Sequence, residues 1–144
     1  FSAESRLPPA LVDPGQILQA FSNIALNAVQ AMSEGGILSL HARLVEIGPD
    51  TDYSEGGAPL PELSEGSYIA IDFQDEGPGI APEHLPHIFD RFYKADPSRS
   101  ASRGSGLGLA IARQNARLLG GDLTAANLPE GGARFLLTLP NPIP

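Results

Sequence analysis

The chain has 144 residues, enough for one domain with a core of its own, and 42% of them are hydrophobic, an ordinary globular share. Seventeen acidic against nine basic side chains leave a formal net charge of −8, which argues against a nucleic-acid surface. No cysteine is present, so a disulfide framework, thiol chemistry and a cysteine metal site are excluded. No apolar run approaches membrane-spanning length and no signal-peptide pattern is visible. The chain starts at Phe1 rather than Met and ends in Pro140-Asn-Pro-Ile-Pro144, which reads as a piece of something longer.

Leu7 to Val12 reads as a short extended lead-in interrupted by Pro8 and Pro9. Asp13-Pro14 then opens a helix, with Asp as N-cap, Pro at the first helical position and Gln16 placed to complete a capping box. Ile17, Phe21, Ile24 and Ala28, with Leu18, Ala25, Val29 and Met32, recur at helical spacing and predict a buried stripe. Gln19, Asn23, Asn27 and Gln30 form a polar stripe on the same helix. Asn23 and Asn27 are four apart, so their amides leave one face. Asn is a poor mid-helix residue, and two in register suggest either a task or a plain solvated amide face.

Gly35-Gly36 ends the helix. Ile37 to Ile47 alternates like a strand, and the Pro-, Gly- and acid-rich stretch 48–66 is expected to be a long, variable hairpin loop. Tyr68 to Gln74 alternates with Ile69, Ile71 and Phe73 inward and delivers a glycine loop, Asp75-Glu76-Gly77-Pro78-Gly79-Ile80. Pro82 to Phe89 predicts one or two short helical turns. Residues 91–105 are poor in apolar side chains and are expected to be a mobile lid. Leu107 to Leu119 reads as a helix ended by Gly120-Gly121. Asp122 to Asn127 and Ala133 to Leu139 read as strands joined by Pro129-Glu-Gly-Gly132. This order predicts an α+β domain, a two-layer sandwich with helices on one face of a mixed, mainly antiparallel sheet.

The second glycine-rich turn, Gly104-Ser105-Gly106-Leu107-Gly108-Leu109, runs straight into that second helix. Bare backbone can approach a ligand closely, and a helix start presents free N–H groups and a positive dipole end that favour phosphate. The spacing matches neither the dinucleotide fingerprint nor a P-loop. Six of the nine basic residues, Arg91, Lys94, Arg99, Arg103, Arg113 and Arg117, cluster around this turn, which suits an anion better than a merely solvated face.

Four motifs in this order resemble the ATP-binding catalytic domain of bacterial sensor histidine kinases, within the superfamily shared with gyrase, the heat-shock chaperone ATPase and the mismatch-repair ATPase. They are Asn23-Ile-Ala-Leu-Asn27-Ala28, Asp75-x-Gly77-x-Gly79, the Phe box Ile88-Phe89-Asp90-Arg91-Phe92-Tyr93, and Gly104 to Leu109. The resemblance runs from about Asp13 to Leu139. It implies ATP and Mg²⁺ as cofactors, with catalytic roles for Asn23, Asn27 and Lys94. It implies a nucleotide site of Asp75, facing the adenine amine, with Gly77, Gly79 and Ile80 beside the base. Asn27 would supply an oxygen to the metal. Gly104, Ser105, Gly106, Leu107 and Gly108 would offer backbone donors to the phosphates, with Lys94 and Arg103 as charge partners. Gln30 stands where many relatives carry Lys, and Phe89 and Phe92 would anchor the lid by packing.

None of His41, His84 and His87 has the surroundings of a phosphoacceptor, so the resemblance places the acceptor on a dimerisation domain absent from this chain. An aspartate on a response regulator receiver domain would follow it. The expected state is a monomeric cytoplasmic domain, with membrane anchoring left to the full-length protein. The rival expectations are an ATP-hydrolysing member of the superfamily and a nucleotide-binding regulatory module without chemistry.

Overall fold

A computed structural model describes residues 1–51, 63–95 and 105–141. Helix α1 (Pro14–Ala31) starts where the sequence places it: Asp13 is extended and its carboxylate accepts the Gln16 N–H at 2.8 Å. Ala20, Ile24 and Ala28 form its buried line, with Ile17 and Phe21 partly covered beside them. Two members of the expected stripe do not join it: Leu18 is 67% and Val29 59% exposed. At 100° per residue both lie roughly 120–140° around the axis from Ile24, beyond the arc that faces the sheet.

Strand β2 (Leu38–Ile47) and strand β3 (Gly66–Asp75) pair antiparallel from Leu38↔Asp75 to Ile47↔Gly66, so 48–65 joins them as a hairpin. Residues 52–62 of that loop lie outside the described residues. A 3₁₀ turn at Leu85–His87 follows. Helix α2 (Gly108–Leu118) leads into strands β4 (Asp122–Asn127) and β5 (Ala133–Pro140). A two-residue strand β1 (Ser2–Ala3), too short for any periodic signal, lies parallel to β2. The sheet order is β1-β2-β3-β5-β4, antiparallel except at β1.

One face of the sheet carries the core. Ile69, Ile71 and Phe73 of β3 and Phe135, Leu137 and Leu139 of β5 meet Ala20 and Ile24 of α1 and Ala112 and Ala116 of α2. Phe21 stands edge-on to Phe73 at 5.3 Å. Asn115, buried on α2, donates to the Gln16 carbonyl and the Gln19 side chain, each at 3.1 Å, and so ties α2 to α1. The predicted two-layer arrangement holds.

β3 is buried on both faces, where the alternation predicted only one. Tyr68, Ala70, Ile47 and Leu136 form a second apolar cluster on the side away from the helices. Between them Asp72, 4% exposed, pairs with Arg134, and Arg43 stands 3.8 Å away. Among the described residues no helix is long and apolar enough to cross a membrane.

Candidate functional site

β3 delivers Asp75 to the rim of the sheet at 3% exposure. Its Oδ1 accepts the Gly77 N–H at 2.9 Å and the Ala133 N–H at 3.2 Å, which fixes the carboxylate. Its Oδ2 has no protein donor among the described residues. The loop depends on a contact that the motifs do not reveal. A β-carbon on Gly132 would lie 1.9 Å from the Asp75 carbonyl oxygen, so only glycine lets the β4–β5 turn close against β3. At Gly77 a β-carbon would lie 3.4 Å from the Ala31 Cβ, which sets the loop against the last turn of α1, one turn beyond Asn27.

Asn23 and Asn27 are half-buried, and neither amide has a protein hydrogen-bond partner among the described residues. Asn23 faces the start of α2: a β-carbon on Gly108 would lie 3.7 Å from its Cγ and 3.8 Å from its Oδ1. That start is bare. Leu107, in the N-cap position, makes no side-chain cap, and the first helical bond there is Ile111 N–H to the Leu107 carbonyl at 2.9 Å. Among the described residues the N–H groups of Gly108, Leu109 and Ala110 have no acceptor, an arrangement that favours an anion.

Gly106 carries a different burden from its neighbours. Its φ is +73°, and a β-carbon would meet the Phe92 backbone at 2.7 Å, while the Phe92 N–H donates to the Gly106 carbonyl at 2.9 Å. These two residues join the ends of the expected lid. Ser105 is exposed beside them. Gly104, Arg99 and Arg103, with the rest of 96–104, lie outside the described residues. Lys94 is half-buried just past the joint, and no hydrogen bond or ion pair links it to the Asn pair among the described residues.

The Phe box splits. Phe89 packs edge-on to Phe135 at 6.4 Å and lies under the Arg113 guanidinium at 4.8 Å, as a packing anchor should. Phe92 does not pack: it is 67% exposed with φ +64°, a conformation uncommon for a non-glycine residue. His84 is hydrogen-bonded to Tyr93 at 2.6 Å and His87 to Asp90 at 3.0 Å. Among the described residues no group of three His, Cys, Asp or Glu side chains could hold a metal ion.

Two residues of the basic cluster point elsewhere. The Nε atoms of Arg113 and Arg117 each lie 3.0 Å from Asp122 Oδ1. Burial alone would raise the Asp122 pKa, but hydrogen bonds from Arg113, the Leu123 N–H and Arg117 together hold it below the ordinary carboxylate value. A cleft of about 450 Å³ lined by Phe89, Arg91, Leu107, Ile111, Arg113 and Leu118, among others, opens beside this pair. It includes neither Asn nor any residue of the Asp75 loop.

The contacts thus set Asn23 beside the start of α2 and the Asp75 loop against the last turn of α1. Sequence reasoning missed Asn127, Gly132 and the Ala133 N–H, which hold the Asp75 loop from the β4–β5 side. The glycine pair in the 129–132 turn was the one available signal.

The chain belongs to the family described as Histidine kinase-, DNA gyrase B-, and HSP90-like ATPase, which matches residues 12–143. It is 60% identical over 125 residues to the signal transduction histidine-protein kinase AfsQ2 of Streptomyces coelicolor, a match covering 80% of this chain and 23% of that protein. Among solved structures it is similar to the mycobacterial sensor histidine kinase MprB, with a TM-score of 0.65 and 27% identity over 91% of this chain and 76% of that one. It is also similar to full-length ShkA in complex with AMPPNP, with a TM-score of 0.68 and 29% identity over 96% of this chain and 24% of that one. The chain therefore spans less than a quarter of the length of AfsQ2.

Proposed function

We propose that this chain is the ATP-binding catalytic domain of a sensor histidine kinase in two-component signalling. It binds Mg-ATP and passes the γ-phosphoryl to a histidine on a separate dimerisation domain, from which an aspartate of a response regulator takes it. The observation that carries this reading is that Asn23 stands beside the uncapped start of α2, one helical turn from Asn27, neither amide having a protein partner among the described residues. The sensor-kinase relatives and the nucleotide analogue in the ShkA structure support it.

Each part has a task that follows from its chemistry. Asp75 Oδ2 accepts from the exocyclic amine of adenine, while Gly77 to Ile80 run along the base. The outward N–H groups of Gly108 to Ala110 meet phosphate oxygens in a fixed array, so little reorganisation is needed as charge shifts during transfer. Mg²⁺, when bound, neutralises phosphate charge and takes few protein ligands, which fits the single neutral oxygen of Asn27. Lys94 and Arg103 supply further positive charge, the more so because Gln30 cannot. Asn23 orients polar groups near the phosphates and takes no proton. The domain works on the cytoplasmic side, where ATP is available.

Titration of the 144-residue chain with ATP in the presence and absence of Mg²⁺ tests the binding half of this reading. Binding strengthened by Mg²⁺, with that gain lost in Asn27→Ala, is the expected result. No detectable ATP binding by the folded chain would overturn it.

A further inference from the structure

Asn127, exposed at the end of β4, makes two hydrogen bonds to a single distant residue. Its Oδ1 accepts the Ile80 N–H at 2.7 Å, and its Nδ2 donates to the Ile80 carbonyl at 2.6 Å. The carboxamide thus acts as a one-residue strand partner to a loop peptide 47 positions away. Among the described residues the backbones of Gly79 and Ile80 make no other hydrogen bond. The near end of the loop is held by Asp75 through the Gly77 N–H; the far end is held by Asn127. Gly79 fits the same arrangement: at φ +79° a β-carbon there would lie 2.9 Å from Asn127 Oδ1. Its bare backbone admits the clamp.

We infer that Asn127 is a positioning residue for the adenine end of the nucleotide, acting through the backbone of Ile80. This rests on the reading of the Asp75 loop as the base pocket. The Ile80 side chain is partly buried against the core, so packing holds the side chain while the clamp sets the height and tilt of the peptide beneath the base. Only a carboxamide supplies both a donor and an acceptor at this reach. Asp keeps the shape but faces the Ile80 carbonyl with a second acceptor, and Ser offers one shorter group.

Asn127→Asp and Asn127→Ser in the 144-residue chain test this by calorimetry with two ligands, Mg-ATP and Mg-tripolyphosphate, which has phosphates and no base. Asn127→Asp should weaken Mg-ATP binding roughly ten- to thirtyfold, from the loss of one or two hydrogen bonds. Asn127→Ser should fall between it and wild type, and Mg-tripolyphosphate affinity should not move. Thermal unfolding of both variants should remain cooperative, close to wild type, because the side chain is exposed. Equal losses for both ligands, unchanged ATP affinity in Asn127→Asp, or failure of the variants to fold would each overturn the assignment. If the folded wild type itself binds no ATP, the base-pocket reading falls and this inference falls with it.

Discussion

The carbonyl oxygen of Asp75 occupies the space that a side chain on Gly132 would need, 1.9 Å from the ideal β-carbon. Asp75, proposed to recognise the base, is thereby locked to a turn 57 positions later in the chain. Gly132→Ala must push β5 away from β3 or break the Ala133 bond to Asp75. Gly131 is a built-in control, since its φ is also positive (+102°) and a β-carbon there meets nothing within 4 Å. Both variants carry backbone strain of about 1–3 kcal/mol, and Gly132→Ala carries the collision in addition. Its thermal midpoint should fall several degrees below that of Gly131→Ala. Equal midpoints would show that the Gly132–Asp75 contact does not stabilise the fold.

On the proposed function, Asp75 Oδ2 sets the base selectivity. A carboxylate accepts from the adenine amine and opposes the guanine carbonyl, acceptor against acceptor. An unpaired buried polar group costs about 1–3 kcal/mol, about tenfold to over a hundredfold in affinity. ATP should therefore bind better than GTP. Asp75→Asn keeps an oxygen for the Gly77 and Ala133 N–H groups, so it should fold while losing most of this preference. Equal affinities of the wild-type chain for the two nucleotides, measured by calorimetry, would sink the assignment.

Asp122 predicts an acid-sensitive contribution to stability. Its pKa is lowered from 3.8 in the folded chain, so the carboxylate contributes stability above that value and loses it as pH falls through the lower folded value. The difference in urea midpoint between wild type and Asp122→Asn should be constant from neutral pH down to about pH 5 and shrink below about pH 4. A difference that stays constant into acid would show that the Arg113 and Arg117 bonds do not act through the carboxylate charge.

Much of the fold was legible because its signals are local. The Asp13 cap, the Asn23–Asn27 spacing and the ends of β4 each depend on a few neighbouring residues. The buried outer face of β3 was not legible, because Asp72 becomes a core residue only when Arg134, 62 positions on, is laid beside it. Leu18 and Val29 repeat at helical spacing, yet the sheet accepts only the arc centred on Ile24, a limit set by the partner and not by the helix. The Asp75 loop was recognised from its own glycines. Its restraints come from Asn127, Gly132 and Ala133, whose positions no periodicity reveals.

On the proposed function, this site suits a histidine acceptor and not water. Asn23, one helical turn before Asn27, lies against Gly108 at the start of α2. A neutral amide cannot take the proton, and general-base assistance is typically worth about 10²–10⁴-fold. A neutral imidazole attacks phosphorus with its own lone pair and needs no such base. The direct measurement is incubation of the chain with γ-labelled Mg-ATP, with and without an acceptor dimerisation domain from the full-length protein. The expected result is very slow phosphate release by the chain alone and, with the acceptor, an acid-labile, base-stable phosphohistidine. Rapid phosphate release without the acceptor, and no labelled histidine with it, would contradict a histidine-acceptor site and favour an ATPase.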